Sequence, residues 1–116
     1  MSNRDWTLYI KDIYFCAEKI LLYTKDLDRE DFFSDSKTFD AVIRNLQVIG
    51  EAAKKLPPDI KRKYKTIEWK KIAGLRDIVV HDYFGINEDI IWDVILNKIP
   101  KLKQRSEFIL KDIYPK

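Results

Sequence analysis

The chain has 116 residues, of which 46% are hydrophobic and 35% charged, and its formal net charge is +3. This composition excludes a disordered chain, and the length fits a single domain over residues 1–116. Apolar runs stay well short of the roughly 18 residues that a membrane span needs, and Cys16, as the only cysteine, excludes an intrachain disulfide. The N-terminal residues lack the apolar core of a signal peptide, so we expect a cytoplasmic location.

Charge is unevenly distributed along the sequence. Residues 26–40 contain six acids and two bases, whereas residues 54–71 contain eight bases and two acids. A basic cluster beside a candidate site suits a polyanionic partner such as nucleic acid. The alternative interpretation is a solvated, lysine-rich surface.

The first predicted helix covers residues 6–27, where apolar residues recur every three or four positions. Asn3 or Asp5 can cap its N-terminus. Tyr14, Phe15 and Tyr23 widen the apolar stripe, so we expect this helix to bury more than one face.

Phe32-Phe33 lies in a polar connector and predicts a helical turn that closes one end of a helix bundle. A second helix then runs from a cap at Asp35 or Ser36 to about Leu56, again with apolar residues at intervals of three and four. Gly50, in the middle of this helix, predicts a close approach of another backbone, since glycine costs helix stability. Three polar residues beside the stripe either support a site or lie on the surface: Arg44, Asn45 and Glu51.

Pro57-Pro58 ends the second helix, and a short basic turn or helix follows. The pattern then predicts a third helix over residues 68–84 with Thr66 as its cap, and a fourth helix that starts at Asn87. Pro100 either kinks this last helix or starts a fifth. No strand alternation is visible, so we predict an all-α fold, an antiparallel bundle of four to five helices.

The only histidine of the chain belongs to an Arg76-x4-His81-x-Tyr83 pattern near the end of the third predicted helix. Arginine binds phosphate through a planar fork of donors, and histidine moves protons near neutral pH. On an ideal helix Arg76 and Tyr83 share a face, whereas His81 is rotated by about 140° from Arg76, so the pair needs a loosened helix end to meet. The alternative is a histidine that caps the carbonyl groups of the helix C-terminus.

Arg76-Asp77-x3-His81 resembles the Arg-polar-x3-His signature of the HEPN superfamily of helical domains. Residues 44–56, 69–76 and 81–85 are similar in order and spacing to the HepT-like toxins of that superfamily, and Trp92 and residues 100–102 fit the same pattern. Asp77 stands where asparagine is more usual. The resemblance extends over nearly the whole chain.

This resemblance implies a ribonuclease toxin that cuts mRNA or tRNA without a metal or other cofactor and acts as a homodimer. It also implies a cognate minimal nucleotidyltransferase as the antitoxin. By the same resemblance, Arg76 and His81 are the catalytic pair, Asp77 orients them, and Tyr83 is the residue to which the antitoxin attaches AMP.

Chemistry independently favours a dimer for such an enzyme. Cleavage without a metal needs a base for the 2′-hydroxyl and an acid for the leaving 5′-oxygen, and one histidine cannot easily be both in one step. Two copies of the chain supply two histidines. Two other functions remain open: a catalytically silent HEPN subunit that binds a nucleotide or a nucleotidyltransferase, and a helical interaction module in which Arg76 and His81 are structural.

Overall fold

The computed structural model describes residues 5–77 and 87–115, and these residues form helices joined by short turns, with no strand among them. The elements in chain order are α1 (Trp6–Thr24), α2 (Arg29–Ser34), α3 (Ser36–Lys55), α4 (Pro58–Lys63), α5 (Trp69–Ala73), α6 (Glu88–Asp93), a π-helical segment (Val94–Lys98) and α7 (Ile99–Ile113). The predicted all-α class is therefore confirmed. None of the helices in the described ranges is long and apolar enough to cross a bilayer.

Three long helices form the frame of the domain. Helix α1 packs against both α3 and α7, and the short α5 packs on α3. The side chains that fill the centre come from the apolar positions with 3–4 spacing, and the following are almost completely buried: Ile10, Ile13, Ile20, Val42, Leu46, Ile49, Leu102 and Ile109. Burial of one such side chain contributes about 1.5–3 kcal/mol, so this stripe-to-stripe packing dominates the stability of the bundle.

Side-chain caps begin three of the helices where the sequence predicts them. Asp5 accepts a hydrogen bond from the Thr7 amide at 3.0 Å, and Asp35 accepts one from the Thr38 amide at 3.2 Å. Asn87 similarly caps α6 by accepting from the Ile90 amide. The cap predicted at Thr66 is wrong, because α5 begins at Trp69 without a side-chain cap.

The turn between α4 and α5 is tied to α7 instead. The Tyr64 hydroxyl donates to Asp112 at 2.6 Å, and Arg105 donates to the Thr66 carbonyl at 2.9 Å. Burial, together with the hydrogen bond and charge of Asp112, raises the pKa of Tyr64 to about 12. These bonds fix the entrance to α5, which leads to the Arg76 segment.

The Phe32-Phe33 connector forms the short helix α2, which confirms the predicted helical turn. Phe32 is fully buried, and its ring lies 4.8 to 5.7 Å from those of Phe33, Phe39 and Trp92. Aromatic pairs at such distances add about 0.5–1.5 kcal/mol beyond their buried area.

The third predicted helix is divided differently in the structure. The helix predicted over residues 68–84 is interrupted at Gly74, where a turn separates α5 from renewed helix at residues 75–77; its remainder lies outside the described residues. Of the two alternatives predicted at Pro100, the start of a further helix is confirmed: a π-helical segment precedes α7, and the proline occupies the first turn of α7.

The expectation that α1 buries more than one face is wrong. Phe15 is 51% exposed and Tyr23 is 41% exposed, whereas Ile13 and Ala17 on the opposite side are fully buried. Because α3 and α7 both pack against the inner side of α1, its outer face is directed to solvent, whatever the size of the side chains there.

Candidate functional site

The structure describes the first two residues of the predicted motif, Arg76 and Asp77, which follow the Gly74 turn. Leu75 is 5% exposed and anchors the segment in the core, while the Asp77 amide donates to the Gly74 carbonyl at 3.0 Å. The backbone of Arg76 is therefore held by packing before it and by a turn hydrogen bond after it.

Gly50 of α3 is the reason that this segment can lie where it does. A Cβ atom at Gly50 would lie 2.8 Å from the Arg76 nitrogen, 2.9 Å from the Arg76 Cβ and 3.1 Å from the Ala73 carbonyl oxygen. Real Cβ atoms do not make contacts this short with backbone, so only glycine allows α3 and Arg76 to touch. The close approach predicted from the sequence at Gly50 is confirmed.

The Arg76 side chain pairs with Glu51, the residue next to Gly50. Its Nε lies 3.0 Å from Glu51 Oε1, and both side chains are 43% exposed. Half-exposed ion pairs contribute only about 0–1 kcal/mol, and a guanidinium has five N–H donors, more than one carboxylate contact can satisfy. Arg76 is thus oriented by Glu51 but remains available to a phosphate.

A groove of about 340 Å³ adjoins this pair and runs between α1 and α3. Tyr9 and Asp12 line it from α1, while α3 contributes the remaining lining residues: Arg44, Gln47, Val48, Glu51, Ala52 and Lys55. Glu51 therefore belongs both to the groove and to the Arg76 ion pair.

A second cleft, between α5 and α7, is strongly basic. Lys71, Lys98, Lys101 and Arg105 line it together with Glu68. The hydrogen bond and charge of Lys71 hold the pKa of Glu68 below its usual value, with smaller contributions from Lys98 and Arg105. The basic segment predicted from residues 54–71 thus continues onto α7, which the linear sequence separates from it by some thirty residues.

The structure tests only part of the predicted site. Arg76 is half-exposed and Asp77 is exposed at the surface, whereas His81 and Tyr83 lie outside the described residues. Of the polar residues noted on α3, Asn45 donates to the Ala41 carbonyl within its own helix and Glu51 reaches the site. No three His, Cys, Asp or Glu side chains gather in a metal-binding arrangement within the described part of the chain.

The sequence did not predict the pairing of Glu51 with Arg76, although it contained a usable signal. A mid-helix glycine marks where another backbone approaches, and the charged residue directly after it stands beside whatever approaches. Gly50 and Glu51 together predict a contact for an arginine, but they do not identify Arg76 among the bases of the chain.

Comparison with known proteins identifies the family to which the chain belongs. A model described as ribonuclease HepT-like matches residues 13–109, and the chain therefore belongs to the ribonuclease HepT-like family. Its relatives include two proteins of Methanocaldococcus jannaschii, each named "Putative RNase". One is 45% identical over 97% of this chain and 93% of its own length, and the other is 41% identical over the full length of both.

A protein of Thermococcus cleftensis named "Probable ribonuclease HepT" is 41% identical over 95% of this chain and 97% of its own length. The resemblance to HepT-like proteins inferred from the motif is confirmed by these matches. No solved structure matches the chain significantly.

We predict that Gly50→Ala destabilises the protein, although alanine is favoured over glycine in a helix by about 1 kcal/mol. The added methyl group would overlap the backbone of Arg76, and such overpacking typically costs about 1–3 kcal/mol. Urea unfolding measures the difference, and Lys54→Ala, at an exposed position of the same helix, is the control. A Gly50→Ala protein that is more stable than wild type would show that the two backbones do not touch.

Proposed function

We propose that this protein is a metal-independent endoribonuclease that acts as a homodimer and is the toxin of a toxin–antitoxin pair. The observation that carries the proposal is the placement of Arg76: a half-exposed arginine, fixed at its backbone by Gly50 and held only weakly by Glu51. It occurs in a chain of the ribonuclease HepT-like family, whose relatives are named as ribonucleases.

In this proposal Arg76 binds the scissile phosphate. Charge-assisted bonds from a guanidinium strengthen as negative charge develops on the phosphorane, and removal of one such donor typically costs about 10²–10³-fold in rate. The guanidinium must leave Glu51 at least in part to do so, and the small net energy of an exposed ion pair permits the exchange.

His81 supplies the proton transfers. One histidine takes the proton of the 2′-hydroxyl, the 2′-oxygen attacks phosphorus, and the bond to the 5′-oxygen breaks as a second histidine donates a proton to it. The products are a 2′,3′-cyclic phosphate and a 5′-hydroxyl, and one proton has been taken and one returned. Because each chain has one histidine, we propose that the partner copy provides the second.

The basic cleft of α5 and α7 supports RNA as the substrate. Lys71, Lys98, Lys101 and Arg105 give this side of the domain an excess of positive charge that would attract a phosphate backbone. A silent HEPN subunit or an interaction module does not require a proton-transferring histidine, so the effect of replacing His81 on RNA cleavage distinguishes these functions.

We propose further that the antitoxin, a minimal nucleotidyltransferase, attaches AMP to Tyr83, and that Asp77 orients the catalytic pair. The attached phosphate would bind Arg76 and the adenosine would occupy the substrate position. Inhibition would then be competitive with RNA.

We predict that wild-type protein cleaves total tRNA or an mRNA in the presence of EDTA and leaves 2′,3′-cyclic phosphate ends. His81→Ala lowers the rate by about 10²-fold or more, because no other group of the chain replaces the histidine. Gel electrophoresis of the products measures the cleavage rate, and the sensitivity of the RNA ends to phosphatase identifies the end group. Absence of cleavage by a folded, dimeric wild-type protein would favour the silent subunit.

We predict that Glu51→Gln lowers the KM for RNA up to about fivefold with kcat nearly unchanged, since the variant removes the charge that competes with phosphate for Arg76. Asp40→Asn changes the net charge equally on the same helix, about three turns away, and serves as the control. A lower kcat at constant KM would instead mean that Glu51 holds Arg76 in its working position.

We predict that incubation with the cognate nucleotidyltransferase and ATP adds the mass of AMP to wild-type protein and leaves Tyr83→Phe unmodified and active. Intact-protein mass spectrometry and RNA cleavage are the measurements. Enzymatic silencing of Tyr83→Phe would exclude Tyr83 as the modified residue.

A further inference from the structure

Helix α1 carries three exposed apolar side chains in one row. Leu8, Phe15 and Leu22 are 38%, 51% and 66% exposed, and they are spaced by seven residues. Seven residues return to within about 20° on an α-helix, so the three side chains line one face. Ile13 and Ala17, about 160° from Phe15, are fully buried, which places this row directly opposite the core.

We call Leu8, Phe15 and Leu22 the α1 stripe. Single exposed apolar side chains are ordinary on protein surfaces, but a straight row with a seven-residue repeat occupies one of the two apolar positions of the heptad along which helices pack. The charges beside the stripe indicate which kind of helix would pack on it.

Opposite charges flank the stripe on both sides of Phe15. Lys11 and Glu18 lie along one edge, and Asp12 and Lys19 lie along the other. On one edge Lys11 precedes Phe15 by four residues and Glu18 follows it by three, and on the other edge Asp12 precedes it by three and Lys19 follows it by four. If a second copy of the helix is placed antiparallel to the first with the two Phe15 residues opposite each other, each positive charge on an edge therefore lies opposite a negative charge of the other copy.

A second copy of α1, antiparallel and related by a two-fold axis through Phe15, fits this pattern. Leu8 then faces Leu22 of the partner subunit, and the two Phe15 side chains meet on the axis. Lys11 faces the partner's Glu18, and Asp12 faces the partner's Lys19. Such a self-complementary contact is the usual form of a two-fold interface, and the antiparallel arrangement also opposes the helix dipoles.

The intramolecular contacts of Lys11 and Glu18 do not prevent their pairing. The Lys11 ammonium lies 4.7 Å from the centre of the Tyr114 ring, and Glu18 lies 3.9 Å from Lys103 and accepts a hydrogen bond from the Tyr14 hydroxyl at 3.4 Å. These are partly exposed contacts of low net energy, and a long side chain can keep its methylene groups in place while its charged end faces another molecule.

We propose that the α1 stripe binds the same stripe of a second copy of this chain in this antiparallel geometry. Helix α1 has 19 residues and is about 28 Å long, so the contact is smaller than a standard interface of about 1,200–2,000 Å². The association is therefore concentration-dependent. It lies on a different helix from Arg76 and does not depend on RNA cleavage; added to a catalytic dimer, it produces a tetramer.

Cysteine cross-linking tests the geometry directly in the full chain with the buried Cys16 replaced by alanine. When two helices pack with their axes about 10 Å apart, the two Cα atoms of residue 15 next to the two-fold axis lie about 5 Å from each other, which is within disulfide range. We expect Phe15→Cys to form a disulfide dimer on mild oxidation. Leu8→Cys and Leu22→Cys should each fail alone and should cross-link when mixed.

Phe108→Cys is the matched control, because Phe108 is an exposed apolar residue, 67% accessible, on α7. Cross-linking at Phe15 no greater than at Phe108 would overturn the proposal. Strong self-linking of Leu8→Cys would do the same, since it requires parallel helices or another contact.

Light scattering over a range of concentrations supplies the second measurement. Phe15→Glu should halve the mass of the largest assembly, and Phe108→Glu should leave it unchanged. Lys11→Glu should weaken association, and the double variant Lys11→Glu/Glu18→Lys should restore it by reversing both members of the pair. Circular dichroism confirms that each variant is folded.

Unchanged mass for folded Phe15→Glu would mean that a second copy is not what covers the stripe, and failure of the double variant to recover would exclude the charge pairing. These outcomes are independent of RNA cleavage. Loss of the ribonuclease proposal would leave this one standing, and the reverse also holds.

Discussion

The contact between Gly50 and the backbone of Arg76 is the constraint on which the candidate site depends. At 2.8 Å from a would-be Cβ to the Arg76 nitrogen, no side chain larger than hydrogen fits between α3 and the Arg76 segment. This contact sets the position of the arginine relative to Glu51, which follows Gly50 on the same helix. Helix packing at Gly50 thus determines the position of Arg76, and the ion pair between Arg76 and Glu51 follows from that position.

In this bundle, the residues that stabilise the fold differ from the charged residues that line the candidate site. Stability comes from apolar stripes in the centre, whereas the charges of the site and of the α5–α7 cleft are exposed and contribute little to folding. A weak Arg76–Glu51 pair can be exchanged for phosphate without loosening the fold. The outer face of α1 follows the same division: it is not needed for the core, and its apolar residues are available for another interface.

Local rules predicted much of this structure because they depend on neighbours in sequence. The caps at Asp5, Asp35 and Asn87, the Phe32 turn and the close approach at Gly50 all follow from residue type and spacing. The failures depend on distant partners. Thr66 does not cap α5 because the helix begins only at Trp69, after a turn whose Thr66 carbonyl accepts a hydrogen bond from Arg105 of α7. Phe15 is exposed because α3 and α7 pack against the other side of α1.

For this protein the sequence by itself determined the all-α class, the family, and a motif of Arg76, His81 and Tyr83 whose roles remain proposals. Periodicity and motif spacing are properties of short stretches, so they can be read without coordinates. Only the tertiary structure decided that Glu51 meets Arg76, that bases of α5 and α7 share one cleft, and which face of α1 is left outside. Each of these depends on which helices are neighbours in space, and that is fixed by packing across the whole domain.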